Sequence, residues 1–278
     1  MQSVHHARSL SGPLPSGERA VLYTHTCCPY AHRALLAFLH KEVPFDLVQV
    51  DLSSKPAWFR KVNPRGLVPA VQWRGATVVE SVDIVRWLDS EFPGPASLTP
   101  ADPALRRSVD DLIDSAAPAV VSAGLDAVAG STGHAWGIGS GATREQLRRF
   151  ESSLQPLAAA LRASGGPFLA GGGLSSADAV LFPFVERFGL ALALFHGYDV
   201  AAFDGGGVAR WLAAVAALPA GRLSSAAEGR LAEAFRRHRS LDWFDYHPTD
   251  VGELHPQLLE AAAAAAARGR KGGAGAEA

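Results

Sequence analysis

Cysteine is scarce in this chain: only Cys27 and Cys28 occur among 278 residues, and they are adjacent. Two cysteines cannot build a disulfide framework, and neighbouring ones rarely pair because the bridge is strained. A disulfide-stabilised secreted domain is therefore excluded. We expect a reducing compartment inside the cell, most simply the cytoplasm.

Charge of one sign and long apolar runs are also missing. Lys and Arg number 26 against 27 Asp and Glu, so nothing indicates a nucleic-acid partner or an acidic lipid surface. No apolar run approaches the roughly 20 residues of a membrane helix, so we expect no stable membrane insertion. The ten histidines show no ligand spacing with cysteine or carboxylate, so no metal site is expected.

Both ends of the chain have weak patterns. Residues 1–18 lack the apolar stretch of a secretory signal and are expected to be disordered. Their Ser and Arg content, without an acid before Glu18, faintly resembles an organelle transit peptide, which makes a plastid or similar organelle the alternative location. Residues 247–278 end in alanine-rich and glycine-rich sequence and should form a partly disordered tail.

The part between these ends has two regimes. Residues 19–92 alternate strand and helix patterns in the order β-α-β-α-β-β-α, which predicts an α/β domain. The initial strand, helix and strand imply a parallel pair with a right-handed crossover, and "RG" between two apolar runs predicts an antiparallel hairpin. The proline-rich residues 93–102 are a predicted linker. Residues 103–246 show helix patterns only, which predicts an all-α domain.

Two segments of the helical half need separate interpretation. The glycine-rich "GSTGHAWGIGSGAT" follows a helix pattern and lacks Gly-x-Gly-x-x-Gly, so we interpret it as an interhelical loop rather than a nucleotide loop. Ser175 followed by Asp178 fits a capping box ahead of an apolar run, so Asp178 is expected to be structural rather than catalytic.

Cys28 lies where a strand pattern gives way to a helix pattern. Pro29 suits the first helical position, which puts Cys28 at the N-cap. Unpaired backbone N–H groups and the helix dipole stabilise a thiolate there, and His32 and Arg33 in the first turn add positive potential. The alternative is that Cys28 is a small buried hydrophobe. Cys27 is expected to pack, with an auxiliary thiol role left open.

Ala31 occupies the place of the second cysteine of a Cys-x-x-Cys motif. A mixed disulfide on Cys28 must then be resolved by an external thiol. In a cytosol, the abundant small thiol is glutathione.

The residues from about Val21 to Pro103 resemble the cysteine-type glutathione transferases, chiefly the omega and lambda classes. The dehydroascorbate reductases and the intracellular chloride channel proteins are close relatives of these classes. The motifs are "CPYA", "KPAWF", "NPRGLVP" and "ES" before a helix, and Ser-x-Ala-Asp extends the likeness into the helical half. The resemblance implies a thioredoxin-like N-terminal domain, an all-α C-terminal domain, glutathione as co-substrate and no bound cofactor.

Site residues follow from the same resemblance. Cys28 is implied as the nucleophile that forms a mixed disulfide with glutathione. Pro69 is implied as a cis-proline, and Val68 would offer its backbone N–H and C=O to the cysteinyl part of glutathione. Glu80 and Ser81 would hold the γ-glutamyl end, at a helix start that favours a carboxylate.

Further residues are implied less directly. Lys55 resembles the lysine that reaches the glycyl carboxylate, although exposed lysines before helices are common. Tyr30 stands where the family usually has Phe, and either lines the site or packs inward. The aromatic candidates for a second-substrate pocket are Trp136, Trp211 and Trp243, for each of which a core position is the alternative.

The function implied is a glutathione-dependent thiol transferase or reductase acting on a small disulfide, a glutathione conjugate or dehydroascorbate. One alternative is a transferase that conjugates glutathione to electrophiles. The other is a non-catalytic ligand carrier or chloride-channel-like protein of the same fold. Either a monomer or a homodimer is compatible with these classes.

Overall fold

Strands are confined to the first part of the chain, and helices fill the rest. The computed structural model describes residues 3–15, 17–133, 136–226, 229–241, 257–258 and 260–261. The strands are β1 (Ser3–His6), β2 (Ala20–Thr24), β3 (Phe45–Gln49), β4 (Ala70–Trp73) and β5 (Ala76–Val79). The helices interleaved with them are α1 (Pro29–His40), α2 (Phe59–Val62) and α3 (Ser81–Glu91).

The second part of the described chain contains helices and a few isolated bridges. A short π-helical turn at Leu112–Ala116 joins α4 to α5, and a 3-10 turn at Val200–Gly206 precedes α8. The α-helices are α4 (Pro103–Asp111), α5 (Ala117–Ala129), α6 (Arg144–Ser164), α7 (Ser176–His196), α8 (Gly207–Ala217), α9 (Pro219–Ser224) and α10 (Arg230–His238).

The sheet has the order β1-β3-β2-β4-β5. β2 and β3 are parallel neighbours connected by α1, and β4 and β5 form an antiparallel hairpin, as the sequence predicted. Arg74 and Gly75 at its turn have φ of 47° and 80°, the pair of left-handed residues that a type I′ turn requires. This topology places the C-terminal end of β2 directly before α1.

The N-terminal segment differs from the expectation of disorder. β1 pairs in parallel with β3 at the edge of the sheet, and the Ser3 hydroxyl donates to Asp46 at 2.5 Å. Arg8 pairs with the buried Asp51, and Trp58 Nε1 donates to the carbonyl of Leu10 at 3.1 Å. Disorder was therefore wrong for these residues. Their partners lie more than forty positions away, where no local pattern reveals them.

The interval between α3 and α4 has neither helix nor strand, but it is anchored. The Asp89 carboxylate accepts hydrogen bonds from the backbone N–H groups of Leu98 and Thr99, at 2.8 and 2.9 Å. Lys41, at the end of α1, donates to the same carboxylate at 2.7 Å. The connection to the helical part is thus tied to the C-terminal end of α1.

One hydrophobic core runs across both parts of the chain. Leu36 and Phe38 of α1 and Ile84 of α3 belong to the same buried cluster as Phe184 and Phe188 of α7. Burial of apolar side chains is the main stabilising term in folding, so this shared cluster holds α1 against the helical part. A smaller cluster on the other side of the sheet contains Tyr23, Cys28 and Phe59.

The apolar character of three helical stretches was underestimated from the sequence. By length and composition alone, Pro103–Ala129, Ser176–His196 and Val200–Ala217 could each cross a membrane. In the most apolar window of Ser176–His196, 67% of the residues are buried inside the protein. The apolar surface of α7 is therefore used in the core.

Candidate active site

Cys28 lies at the N-cap of α1, with Pro29 at the start of the helix, as predicted. Its N–H donates to the carbonyl of His25 at 3.1 Å, and its carbonyl accepts from the N–H of His32 at 3.0 Å. The positive end of the helix dipole is therefore beside the residue. This environment favours the thiolate form of a cysteine.

The two adjacent cysteines belong to different hydrophobic clusters. Cys28 is 6% exposed and packs in the smaller cluster, whereas Cys27 is 1% exposed and packs in the core shared with the helical part. The prediction that Cys27 packs is thus confirmed. Only Cys28 lines a cavity described below.

That cavity has a volume of about 530 Å³ and brings together all the predicted site residues except Trp211 and Trp243. Its mixed polar and aromatic lining could hold a peptide-sized ligand with charged ends. The lining residues are Cys28, Tyr30, Leu52, Lys55, Asn63, Arg65, Leu67, Val68, Pro69, Glu80, Ser81 and Trp136.

One wall of the cavity is the loop that ends in Val68 and Pro69. The peptide bond between them is cis, as the resemblance implied, and β4 begins immediately afterwards. The Asn63 side chain braces this loop by donating to the carbonyl of Leu67 at 2.8 Å and accepting from the N–H of Arg65 at 3.1 Å. Asn63 and Arg65 were not predicted as site residues, although both lie in the "NPRGLVP" motif.

Glu80 and Ser81 lie at the start of α3. Glu80 is the N-cap and has a φ of 64°, an uncommon value for a residue with a side chain. Its exposed carboxylate pairs with the exposed Arg65. The buried Ser81 hydroxyl accepts a hydrogen bond from Arg33 at 3.2 Å. A ligand carboxylate would meet both a helix N-terminus and a hydroxyl here.

A buried cation lies beneath these groups. Arg33 is 5% exposed, and its Nε donates to the carbonyl of Val180 on α7 at 2.8 Å. Its guanidinium lies 5.1 Å from the ring of Tyr30 and 4.5 Å from that of Phe184.

Burial lowers the pKa of Arg33 to about 10, against the raising effects of Tyr30 and Cys28. The group therefore stays charged at neutral pH. The sequence analysis gave Arg33 only the role of adding positive potential near Cys28. The available signal was its position five residues after Cys28 in the same helix.

Tyr30 and Trp136 form an aromatic wall. The two ring centroids are 5.7 Å apart in an edge-to-face arrangement, and Tyr30 contacts Phe184 in the same way at 4.9 Å. Trp136 has a φ of 65°, and its carbonyl accepts a hydrogen bond from the N–H of Leu241 at 3.0 Å. Tyr30 thus both packs inward and lines the cavity.

Trp211 does not line the cavity beside Cys28 and takes the core position that was the alternative for each tryptophan. It is 1% exposed, packs against Phe182 and donates from Nε1 to Asp178 at 2.7 Å. A tryptophan on the inner face of α8 finds apolar neighbours and one polar acceptor, so it serves the core. Trp243 lies outside the described residues.

Asp178 has the structural role that the sequence predicted. Its carboxylate accepts from Ser175 and from the N–H of Leu169, and the Ser175 hydroxyl completes a capping box at the start of α7. Burial raises the pKa of this carboxyl, against the lowering effect of its donors. Across the described part of the chain, no group of three or more His, Cys, Asp or Glu residues could hold a metal ion.

Comparison with known proteins agrees with this architecture. A family model described as "Glutathione S-transferase, N-terminal domain" matches residues 27–91, and one described as "Glutathione S-transferase, C-terminal domain" matches residues 140–214. A solved structure, glutathione transferase Omega 1C from Trametes versicolor, has a TM-score of 0.67 at 22% identity and covers 80% of this chain and 97% of that one. The structural likeness establishes a thioredoxin-like domain followed by a helical domain.

Curated relatives extend the comparison to sequence. Glutathione S-transferase L3 of Arabidopsis thaliana is 33% identical over 184 residues, covering 65% of this chain and 72% of that protein. Glutathione S-transferase DHAR3, chloroplastic, of the same organism is 30% identical over 178 residues, covering 62% of this chain and 59% of that protein. With both domains matched in order and the lambda-type relative aligned over most of its length, the chain belongs to the glutathione S-transferase family.

Proposed function

We propose that this chain is a glutathione-dependent thiol transferase or reductase that works through Cys28. The observation that carries the proposal is a cysteine at the N-cap of α1 that lines the cavity, with the Arg33 cation in the same helix. Helix dipole and cation both favour the thiolate, which is the reactive form. Ala31 stands at the place of a resolving cysteine, so glutathione must supply the second thiol.

Glutathione would bind along the cavity in an extended form. We propose that Val68, beside Pro69, offers its backbone to the cysteinyl part, and that Glu80 takes the γ-glutamyl ammonium. Ser81 at the start of α3 would take the γ-glutamyl carboxylate. Lys55 would pair with the glycyl carboxylate. The support for each role is a position on the cavity wall and a matching charge or donor.

The reaction proceeds in two exchanges. In the first, the Cys28 thiolate attacks the glutathione sulfur of a mixed disulfide, the disulfide bond breaks, and the other thiolate leaves and takes up a proton. In the second, the thiolate of a free glutathione attacks the glutathione sulfur bound to Cys28. Oxidised glutathione leaves and Cys28 returns as a thiolate. In balance, one free glutathione thiol is consumed: it joins the glutathione half of the mixed disulfide as oxidised glutathione, and the other half of the substrate leaves as a thiol.

The second substrate, location and assembly follow from the same proposal. A small disulfide, a glutathione conjugate or dehydroascorbate would enter beside the aromatic wall formed by Tyr30 and Trp136. We propose a cytoplasmic monomer or homodimer. The name of the relative DHAR3 includes chloroplastic, which supports a plastid as the alternative location.

The test measures glutathione-dependent reduction of a small mixed disulfide by the purified protein, with intact-mass detection of a glutathione adduct. We expect turnover when glutathione is present. When free glutathione is withheld, so that the second exchange cannot occur, we expect an adduct on Cys28. A protein that is inactive here but conjugates glutathione to an aryl halide would be a conjugating transferase instead. A protein that binds glutathione and does neither would be a ligand carrier.

A further inference from the structure

The backbone of Cys27 is held by two buried side chains. Its N–H donates to Nδ1 of His25 at 3.4 Å, and its carbonyl accepts from Nε of Arg187 at 3.2 Å. His25 lies beside the sheet, whereas Arg187 belongs to α7 in the helical domain. The backbone of the residue before Cys28 is therefore hydrogen-bonded to side chains of both domains.

Arg187 is buried and makes several hydrogen bonds. It is 3% exposed, and its NH1 group donates to the carbonyl of Pro183 at 2.9 Å and to Glu186 at 3.2 Å. A guanidinium removed from water must be fully hydrogen-bonded to be tolerated. The hydrogen bond to Cys27 is thus one of those that offset the cost of burying the Arg187 guanidinium.

The same guanidinium also contacts the first turn of α1. NH1 of Arg187 lies 3.0 Å from Nδ1 of His32. Arginine can only donate, so Nδ1 must accept, and the neutral His32 ring then carries its proton on Nε2. That Nε2–H points to the hydroxyl of Ser224 on α9, at 3.0 Å. Arg187 therefore holds residues on both sides of Cys28.

We propose that Arg187 is a positioning residue for the Cys28 reaction, fixing the Cys27 carbonyl and the His32 ring so that the Cys28 sulfur stays aligned with the N-terminus of α1. This inference rests on the proposed function, because it gives Arg187 a part in the reactivity of Cys28.

Alignment matters because the stabilisation of a thiolate by a helix end falls off within one turn. A displacement of about 1 Å at a reacting group can cost about a hundredfold in rate. The ionisable and charged groups around Cys27 and Cys28 include His25, Tyr30, His32, Arg33, Glu186 and Arg187. Arg187 is hydrogen-bonded to both Cys27 and His32.

The experiment measures the rate of Cys28 alkylation by iodoacetamide between pH 5 and pH 10, read by peptide mass, in the full-length protein. We expect Arg187→Gln to lower that rate about tenfold at pH 6.5, with recovery at high pH, because the thiolate is less favoured. Arg187→Lys keeps the charge without the fork of donors and should recover part of the loss. Ser224→Ala should give a smaller loss of the same kind.

The matched control is Lys41→Met. Lys41 is a buried cation at the opposite end of α1, paired with Asp89 at 2.7 Å. Its loss should lower the melting temperature while leaving the alkylation profile of Cys28 unchanged. This separates a general effect of removing a buried cation from a specific effect on Cys28.

An Arg187→Gln protein that melts earlier but keeps the wild-type alkylation profile would overturn the inference and leave Arg187 a purely structural residue. If Arg187→Gln does not fold, unchanged profiles in both Arg187→Lys and Ser224→Ala would have the same meaning. A wild-type Cys28 that reacts like a free cysteine, without disulfide-reducing turnover, would instead refute the proposed function itself.

Discussion

The floor and the rim of the cavity are built differently. The floor consists of the buried Cys28 and Ser81 together with the buried Arg33 beneath them, and Arg33 is bonded to α7 of the helical domain. The rim consists of Lys55, Arg65 and Glu80, which are exposed and belong to the N-terminal domain. Charges in the floor interact in a medium of low polarity, whereas those in the rim are screened by water.

This difference predicts where substitutions should matter. A change in the floor removes an interaction that water cannot replace, and also disturbs the contact between the domains. A change in the rim removes a solvated contact, worth about 0.2–1 kcal/mol for exposed pairs. The following predictions test this contrast, from the largest expected effect to the smallest.

Cys28→Ala should remove essentially all disulfide-reducing turnover, by at least about 1,000-fold, because Cys28 is the cysteine that lines the cavity and forms the mixed disulfide. The initial rate of glutathione-dependent reduction of a small mixed disulfide measures this. Full activity in Cys28→Ala would show that the thiolate argument is wrong.

Arg33→Met should lower the rate about tenfold at pH 6.5 and much less at pH 9. The cation favours the thiolate, so its removal raises the pH at which Cys28 ionises, and activity returns as the pH rises past that point. A pH–rate profile measures this, with Arg33→Lys as the charge-retaining control. A uniform loss at all pH values would indicate a folding role for Arg33 instead.

Trp136→Ala should raise the KM for an aromatic second substrate several-fold with little change in kcat, because the wall contact with Tyr30 is lost. Trp211→Phe is the matched control. It removes a buried N–H donor to Asp178 and should cost about 1–3 kcal/mol of unfolding free energy, without changing KM. Equal effects of the two variants on KM would contradict the assignment of Trp136 to the wall.

Glu80→Gln should raise the KM for glutathione by no more than about fivefold, since the carboxylate is exposed. Because screening weakens exposed pairs, the difference from the wild type should shrink in 1 M salt. A much larger effect that does not depend on salt would show that the Glu80 carboxylate acts like the buried charges of the floor and is not screened by water.

Cys27→Ala should change activity by less than about twofold and lower the unfolding free energy by about 1 kcal/mol, because the residue packs in the core and its backbone bonds are kept. Urea unfolding and the disulfide assay measure the two effects. A large loss of activity at unchanged stability would reveal a chemical role for the second thiol.

Much of the fold could be predicted because its signals are local. The strand before Cys28, Pro29 at the start of α1, the hairpin turn at Gly75 and the capping box at Asp178 each depend on residues a few positions apart. The hydrogen bonds of turns and helix caps join residues only a few positions apart. Residue type at a fixed spacing is therefore sufficient to predict them.

Other features were predicted wrongly or missed because they depend on contacts between residues that are far apart in the chain. The edge strand β1 has little apolar content, and its pairing with β3 depends on residues more than forty positions away. As tryptophans, Trp136 and Trp211 were equal candidates for the pocket, yet one lines the cavity and the other is in the core. Residue type and local pattern do not show whether an aromatic ring faces a cavity or packs against another helix.

By itself, the sequence determined the order of the elements from β2 to α3, the N-cap position of Cys28 and most of the residues around the cavity, because short motifs encode local backbone geometry. The tertiary structure alone decided how the helical domain reaches that cysteine. The Arg33 bond to Val180 spans 147 positions, and the Arg187 bond to Cys27 spans 160. Such contacts depend on how α1 packs against α7, which is set by the shape of the whole shared core rather than by any local pattern.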